Sequence, residues 1–258
     1  MDILDVVKKD YVTRLLAEGK REDGRKNDEY RSISVEKGVL QSAEGSALAI
    51  VGKTQVLAAV KFGVGTPYPD KPTEGVLSTN SEWPPLASPK FETGPPREGS
   101  IEFARVVDRG IRSSETLDFK SFYINEEKVW MLYLDLYVLD HDGNLIDAGA
   151  LAGMAALMNA KMPRYEDEKV ISDESNRQLP LKNTVVACTV AKVGKHFLLD
   201  PTLAEEAAME GRVTIATTPE HICAGQKSGP VAVTKDELLE IADLSFKKGR
   251  ELRSLLEQ

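Results

Sequence analysis

The segment LDHDGNLIDAGALAGMAALMNAKMP, Leu139 to Pro163, opens as the end of a strand, turns through Asp142-Gly143-Asn144 and runs into a stretch rich in Ala, Met and Leu. Ala148, Leu151, Ala152, Met154, Ala155, Ala156, Leu157, Met158 and Ala160 cover every direction of a helix. A helix that is apolar all round is buried in a core. Asp147 and Asn159 interrupt it, and it is too short for a bilayer, which needs about 20 apolar residues. The segment is therefore expected to form a central packed helix, entered through a strand-to-helix turn and ended by Pro163. Such turns bind phosphate, because free backbone N–H groups and the positive end of the helix dipole face outward there.

Immediately before it, Val129 to Asp140 alternates as a strand. Trp130, Leu132, Leu134, Leu136 and Val138 make one apolar face, and Tyr133, Asp135 and Tyr137 lie on the other. Further upstream, residues 2–18 carry Ile3, Val7, Tyr11 and Leu15 at helical spacing before Gly19, an amphipathic helix with a glycine stop. Tyr30 to Val35 reads as a strand, and Ser46–Val51 and Thr54–Val60 as a hairpin about Gly52-Lys53. Between Gly63 and Gly99 stand Pro67, Pro69, Pro72, Pro84, Pro85, Pro89, Pro95 and Pro96, so no regular core element is expected there. A long loop of this kind is usually functional. Trp83 and Phe91 within it either stack on a base or anchor the loop.

Ser100 is expected to cap a helix with Glu102 in its first turn. At about 100° per residue, Ala104, Val107 and Ile111 share one arc and Arg105, Arg109 and Arg112 another. One face packs inward and the other presents three guanidinium groups, whose fork suits phosphate.

Beyond Pro163, Tyr165 to Gln178 is a polar connection and the best boundary between halves. Thr184–Lys192 and Lys195–Leu199 form a hairpin about Val193-Gly194, and Arg212–Thr217 and Val231–Val233 are further strands. Thr234-Lys235-Asp236-Glu237 is a capping box that starts a last helix carrying Leu238, Ile241, Ala242, Leu252, Leu255 and Leu256. Each half is several strands followed by a helix, which implies an α+β fold in α/β layers. The expected organisation is an N-terminal helix over 1–20, a first half over 21–165 and a second half over 166–258, packed as one compact domain.

The chain has 258 residues, with 41 acidic against 33 basic side chains and a formal net charge of −8. That balance argues against non-specific coating of nucleic acid, which needs excess Lys and Arg, but not against a local basic site. Cys188 and Cys223 stand far apart with no zinc spacing and are expected to be reduced thiols of an intracellular protein. The charged start, Met1 to Lys9, is no signal peptide, so a cytoplasmic location is expected. P-loop, GxGxxG, GxSxG and HExxH signatures are all missing. His141, His196 and His221 show no pairing and read as structural, and no cofactor or metal is expected.

Five runs in order carry a resemblance. They are Arg21-Glu22-Asp23-Gly24-Arg25, the run Gly52 to Val60, Ala104-Arg105-Val106-Val107-Asp108-Arg109, Asp142 to Ala148, and Leu199-Asp200-Pro201-Thr202. With them the chain resembles the ribonuclease PH family of phosphate-dependent 3′-to-5′ RNA exonucleases, nearly end to end. Within that family it is most similar to the non-catalytic ring subunit of archaeal exosomes. The resemblance implies a ribonuclease PH-like fold. It also implies an alternating hexameric ring with a catalytic subunit, RNA-binding cap subunits, and contact with single-stranded RNA. No membrane partner is implied.

The departures from the family pattern set the expected role. Catalytic members carry Gly-Thr/Ser-Arg at the entry to the central helix to hold the attacking phosphate. Those positions here are Asn144, Leu145 and Ile146. Catalytic members also place two acidic residues six apart as general acid and metal ligands, and these fall at Glu206 and Arg212. The expected protein is therefore no enzyme by itself and has no catalytic residues. Asp200 and Glu206 take surface or capping roles. Arg105 foremost, with Arg109 and Arg112, meets RNA phosphates or the partner subunit. The alternative is a self-sufficient phosphorolytic exoribonuclease or nucleotidyltransferase with a diverged site.

Overall fold

In the computed structural model, which describes residues 3–171 and 177–258, the chain begins with helix α1 (Ile3–Ala17). There follow β1 (Ile33–Lys37), β2 (Gly45–Val51), β3 (Thr54–Gly65), β4 (Val76–Glu82) and α2 (Glu98–Ser113). After a short 3-10 turn come β5 (Tyr123–Asn125), β6 (Lys128–Asp140) and α3 (Leu145–Asn159). Four short strands follow: β7 (Lys161–Met162), β8 (Arg164–Glu166), β9 (Lys169–Ile171) and β10 (Arg177–Gln178). The chain closes with β11 (Val186–Val193), β12 (His196–Leu199), α4 (Leu203–Ala208), β13 (Gly211–Thr217), β14 (Ile222–Ser228) and α5 (Lys235–Leu256).

Two sheets take the strain of burying α3. The first runs β1-β2-β3-β6-β4 with β5 added to β6, and only β4 is parallel to its neighbour. The second is antiparallel in the order β12-β11-β13-β14. Helix α3 packs on β2 and β3 of the first sheet and on β11 of the second. That double cover is why its side chains are apolar in every direction: Leu151, Ala152, Met154, Ala155, Ala156 and Leu157 are all fully buried. Leu132, Leu134, Leu136 and Val138 of β6 face the same core, while Asp135 and Tyr137 are exposed. Helix α2 closes against β4, β14 and α3. At its tightest point the Phe103 ring occupies the space a Cβ on Gly149 would need, 2.3 Å away, so any larger residue there would force the helices apart.

Several expectations require correction. In α1, Val7 and Tyr11 are exposed, and the buried stripe is Val12 and Leu16, which cluster with Val193, Leu198 and Ala208. The helix docks on α4, and that contact selects the neighbouring stripe of the same periodicity. The side chain of Ile3 lies outside the described residues. The proline-rich stretch does contain a core element: β4 occupies its proline-free centre and buries Val76 and Leu77. Ser100 lies inside α2; the N-cap is Arg97, Glu98 takes the first turn, and the Ser100 hydroxyl donates back to the Arg97 carbonyl at 2.9 Å. The segment 165–178 holds strand pairs β8–β9 and β7–β10 in place of an irregular linker; residues 172–176 lie outside the described residues. α3 already ends at Asn159, four residues before Pro163. No strand forms at 231–233; the last strand is β14, a polar edge strand. Leu238 of α5 is exposed, while Ile241, Leu252 and Leu256 are buried.

Candidate functional site

Two places gather charge: the entry to α3 and the outward face of α2. At the first, the turn Asp142-Gly143-Asn144 is held rigid from below. Thr54 Oγ1 donates to the Gly143 carbonyl at 2.6 Å and accepts from the Asp142 N–H at 3.0 Å. Gly143 has φ +90°, and a Cβ there would lie 2.4 Å from the Pro201 carbonyl, so only glycine fits. Asn144 caps the helix in the left-handed region, φ 53°. Its side-chain amide donates to Asp147 at 2.9 Å and to Asp200 at 2.8 Å. Its backbone N–H, the donor that would meet a bound anion, donates to Glu206 Oε1 at 2.9 Å. An internal carboxylate thus takes the seat at the helix N-terminus.

Around that seat the charges close upon one another. Asp200, fully buried, accepts from Arg31 Nη2 at 2.7 Å and from Arg25 Nη1 at 3.0 Å. Arg31 also donates to the Asp142 carbonyl at 2.7 Å. Arg21 and Glu205 form a buried bidentate pair, 2.8 and 2.6 Å, and Glu205 completes the capping box of α4 with Thr202. Arg212 lies 3.8 Å from Glu206 and 3.3 Å from Glu102 of α2, and the Ser228 hydroxyl also meets Glu102. Asp200 therefore does not take the surface or capping role expected of it; it is a core charge. Glu206 is half-buried and does meet the N-terminus of α3, while Glu205 caps α4.

These surroundings set the protonation states. Burial would push the Asp200 carboxyl up, but the hydrogen bonds and charge of Arg31 outweigh it and hold it below the ordinary value. Burial pushes Glu206 up, against the pull of the Asn144 N–H and Arg212. Asp147, fully buried, is pushed by burial up to about 6, against hydrogen bonds from Asn144, Thr189 and Tyr30. His141 is brought down to about 4 by burial and by Arg31, so it is neutral at pH 7, stacked on Phe91 with centroids 5.3 Å apart. Among the described residues, no group of three or more His, Cys, Asp or Glu side chains is arranged to hold a metal ion. An arriving phosphate would find the Asn144 N–H taken by Glu206 and the Ile146 side chain buried beside it.

At the second place the three arginines of α2 differ. Arg112 is engaged within the chain: Nε donates to Asp108 at 2.6 Å, Nη2 to the Leu77 carbonyl at 2.5 Å, and the group lies 5.6 Å over the Phe119 ring. Arg109 makes one neutral hydrogen bond, to Gln226 at 3.0 Å. Arg105 is exposed and makes no hydrogen bond or ion pair among the described residues. The opposite arc is buried as expected, with Ala104, Val107 and Ile111 in the core. Trp83 and Phe91 anchor the loop: their centroids are 4.7 Å apart and Trp83 also meets Phe103.

The sequence reading missed Arg31 entirely and saw Arg21 and Arg25 only as a marker of resemblance. Their partners lie more than 160 positions away, at Asp200 and Glu205, and no local spacing announces them.

The chain is similar to known proteins over nearly its whole length. The family described as 3′ exoribonuclease matches twice, its domain 1 over residues 29–163 and its domain 2 over 183–248. The exosome complex component Rrp42 of Methanosarcina mazei is 44% identical over 98% of this chain and 95% of its own length. The protein of the same name from Pyrococcus abyssi is 45% identical over 99% of this chain and 95% of its own. A chain in the solved structure of the Archaeoglobus fulgidus exosome with RNA bound to the active site superposes with a TM-score of 0.92 at 44% identity, covering 98% of this chain and 99% of that one.

Proposed function

The chain belongs to the 3′ exoribonuclease family in both of that family's domains, and on this premise we propose that it is the non-catalytic subunit of an archaeal exosome ring. It alternates with a catalytic subunit of the same family in a hexamer, beneath RNA-binding cap subunits. It binds single-stranded RNA and completes the partner's site for phosphate-dependent 3′-to-5′ RNA degradation and tailing. The observation that carries this reading is the hydrogen bond from the Asn144 N–H to Glu206. Phosphorolysis needs preorganised donors for the attacking anion and for the charge of the transition state. Here the Asn144 N–H is spent on the chain's own Glu206, and Arg212 stands where a second acidic group would be needed.

Arg105, Arg109 and Arg112 form the proposed RNA contact, with Arg105 foremost. Support comes from its free guanidinium, which is unusual in an acidic chain where the neighbouring arginines find partners. Arg109 can exchange its neutral bond to Gln226 for a phosphate oxygen. Arg112, tied to Asp108 and Leu77, braces the stripe. No described helix is long and apolar enough to cross a membrane, and the proposed location is the cytoplasm.

Mixing tests the assembly. The chain and a catalytic homologue from the same cell should form one ring-sized particle by light scattering that trims RNA when phosphate is present. Arg105→Glu should weaken trimming without dissociating the particle. A ring that falls apart would reassign Arg105 to a subunit contact, and unchanged trimming would remove it from the RNA path.

A further inference from the structure

Beside Arg105 the outer face of the first sheet forms a groove of about 580 Å³ between β4, β6 and α2. Its floor is the ring of Tyr137, 42% exposed although β6 has a strand on either side. The Tyr137 hydroxyl makes no hydrogen bond among the described residues. Two residues back on the same face, Asp135 accepts a single bond, 3.3 Å, from the amide of Asn80, its partner in the parallel register. The second Asp135 oxygen has no partner among the described residues. Same-face residues on one strand stand about 7 Å apart. A planar group laid on Tyr137 therefore reaches Asp135 with its edge.

An open aromatic ring on a sheet, with side-chain hydrogen-bonding groups beside it and a guanidinium at the rim, is an arrangement that takes single-stranded RNA. The ring receives a base and the cation receives the phosphate. We propose that this groove holds one nucleobase of the RNA strand gripped by Arg105, stacked on Tyr137 and read at its edge by Asp135 and Asn80. A carboxylate only accepts hydrogen bonds. The pocket therefore favours a base with an exocyclic amino group, such as adenine, over uracil, whose single donor on that edge, N3–H, is flanked by two carbonyl oxygens that the carboxylate repels. The polar rim speaks against a protein surface as the occupant. An apolar partner face would bury Arg105, Asp135 and Asn80 without compensation. The proposal rests on the reading of Arg105 as an RNA contact.

The test uses the ring reconstituted with the catalytic homologue and three oligomers: oligo(A), oligo(U) and an abasic ribose-phosphate strand. Dissociation constants are read by fluorescence anisotropy and ring size by light scattering. Tyr137→Ala should weaken oligo(A) about tenfold and leave the abasic strand and the ring size unchanged. Tyr137→Phe should keep the affinity, and Asp135→Asn should erase the preference for oligo(A) over oligo(U). An intact Tyr137→Ala ring with unchanged oligo(A) affinity overturns the proposal, as does a ring that dissociates, since the face would then be a subunit contact. Arg105→Glu separates the two readings. If it weakens all three oligomers while Tyr137→Ala weakens none, the base pocket fails and the phosphate contact stands. If neither has an effect, both fail.

Discussion

The entry to α3 and the outward face of α2 both concentrate charge, and they dispose of it in opposite ways. Around Asn144, the carboxylates of Asp147, Asp200, Glu205 and Glu206 each meet donors from the same chain. At Arg105 no described residue answers the cation. Charge closed within a core is structural, because desolvation leaves it dependent on its partners. Charge left open at a groove is free to meet a ligand. The charges at the entry to α3 act as a strut, and the proposed interaction surface is on the neighbouring helix.

The largest effect should come from breaking the closed side. Asp200→Ala removes the buried acceptor shared by Arg25, Arg31 and Asn144, and breaking a buried charge cluster by taking out one partner costs about 3 kcal/mol, here tempered by the Asp23 and Asp142 contacts the two arginines keep. Denaturant unfolding should show that loss. A second effect is a pH dependence at Asp147, whose carboxyl burial raises to about 6 from an ordinary 3.8. The folded state holds this proton more tightly than the unfolded state. The stabilisation is therefore complete below the unfolded value and lost as pH rises through 6. Between pH 4 and pH 7 the natural chain should lose roughly 2–2.5 kcal/mol relative to Asp147→Asn. Equal pH profiles for the two would show that Asp147 is not the buried acid described.

On the open side the expected effects fall on RNA and not on the fold. Arg105→Glu should reduce RNA affinity of the ring by about tenfold, near 1.4 kcal/mol, while unfolding of the isolated chain shifts by less than about 0.5 kcal/mol. Arg112→Ala should show the smaller and inverse pattern. It should lose about 0.5–1 kcal/mol of stability through Asp108 and Leu77, with a weaker effect on RNA than Arg105→Glu. Equal RNA losses in the two variants would blur the distinction between the brace and the contact.

Much of this was legible along the chain. Period and length mark α3, β6 and α5, and the apolar all-round character of α3 foretells its place between two sheets. The loss of the phosphate loop at Asn144-Leu145-Ile146 and the cation at Arg212 are visible by position. What filled the vacated seat is not. Glu206 reaches Asn144 across 62 positions, and Arg31 reaches Asp200 across 169, by contacts that no periodicity encodes. β4 was hidden because prolines on both sides outweighed the short proline-free run between them. The face of α1 was misassigned because two adjacent apolar stripes share its surface, and only docking on α4 chooses between them. The arginine stripe was readable as a stripe. That two of its members are engaged and one is open required the positions of Gln226, Asp108 and Leu77.

The most direct measurement is release of nucleoside diphosphate from single-stranded RNA and inorganic phosphate by the purified chain. With Glu206 seated on the Asn144 N–H, the lone chain should release none, and release should begin on adding the catalytic subunit. Phosphate-dependent trimming by the chain alone would contradict the account and restore the self-sufficient nuclease.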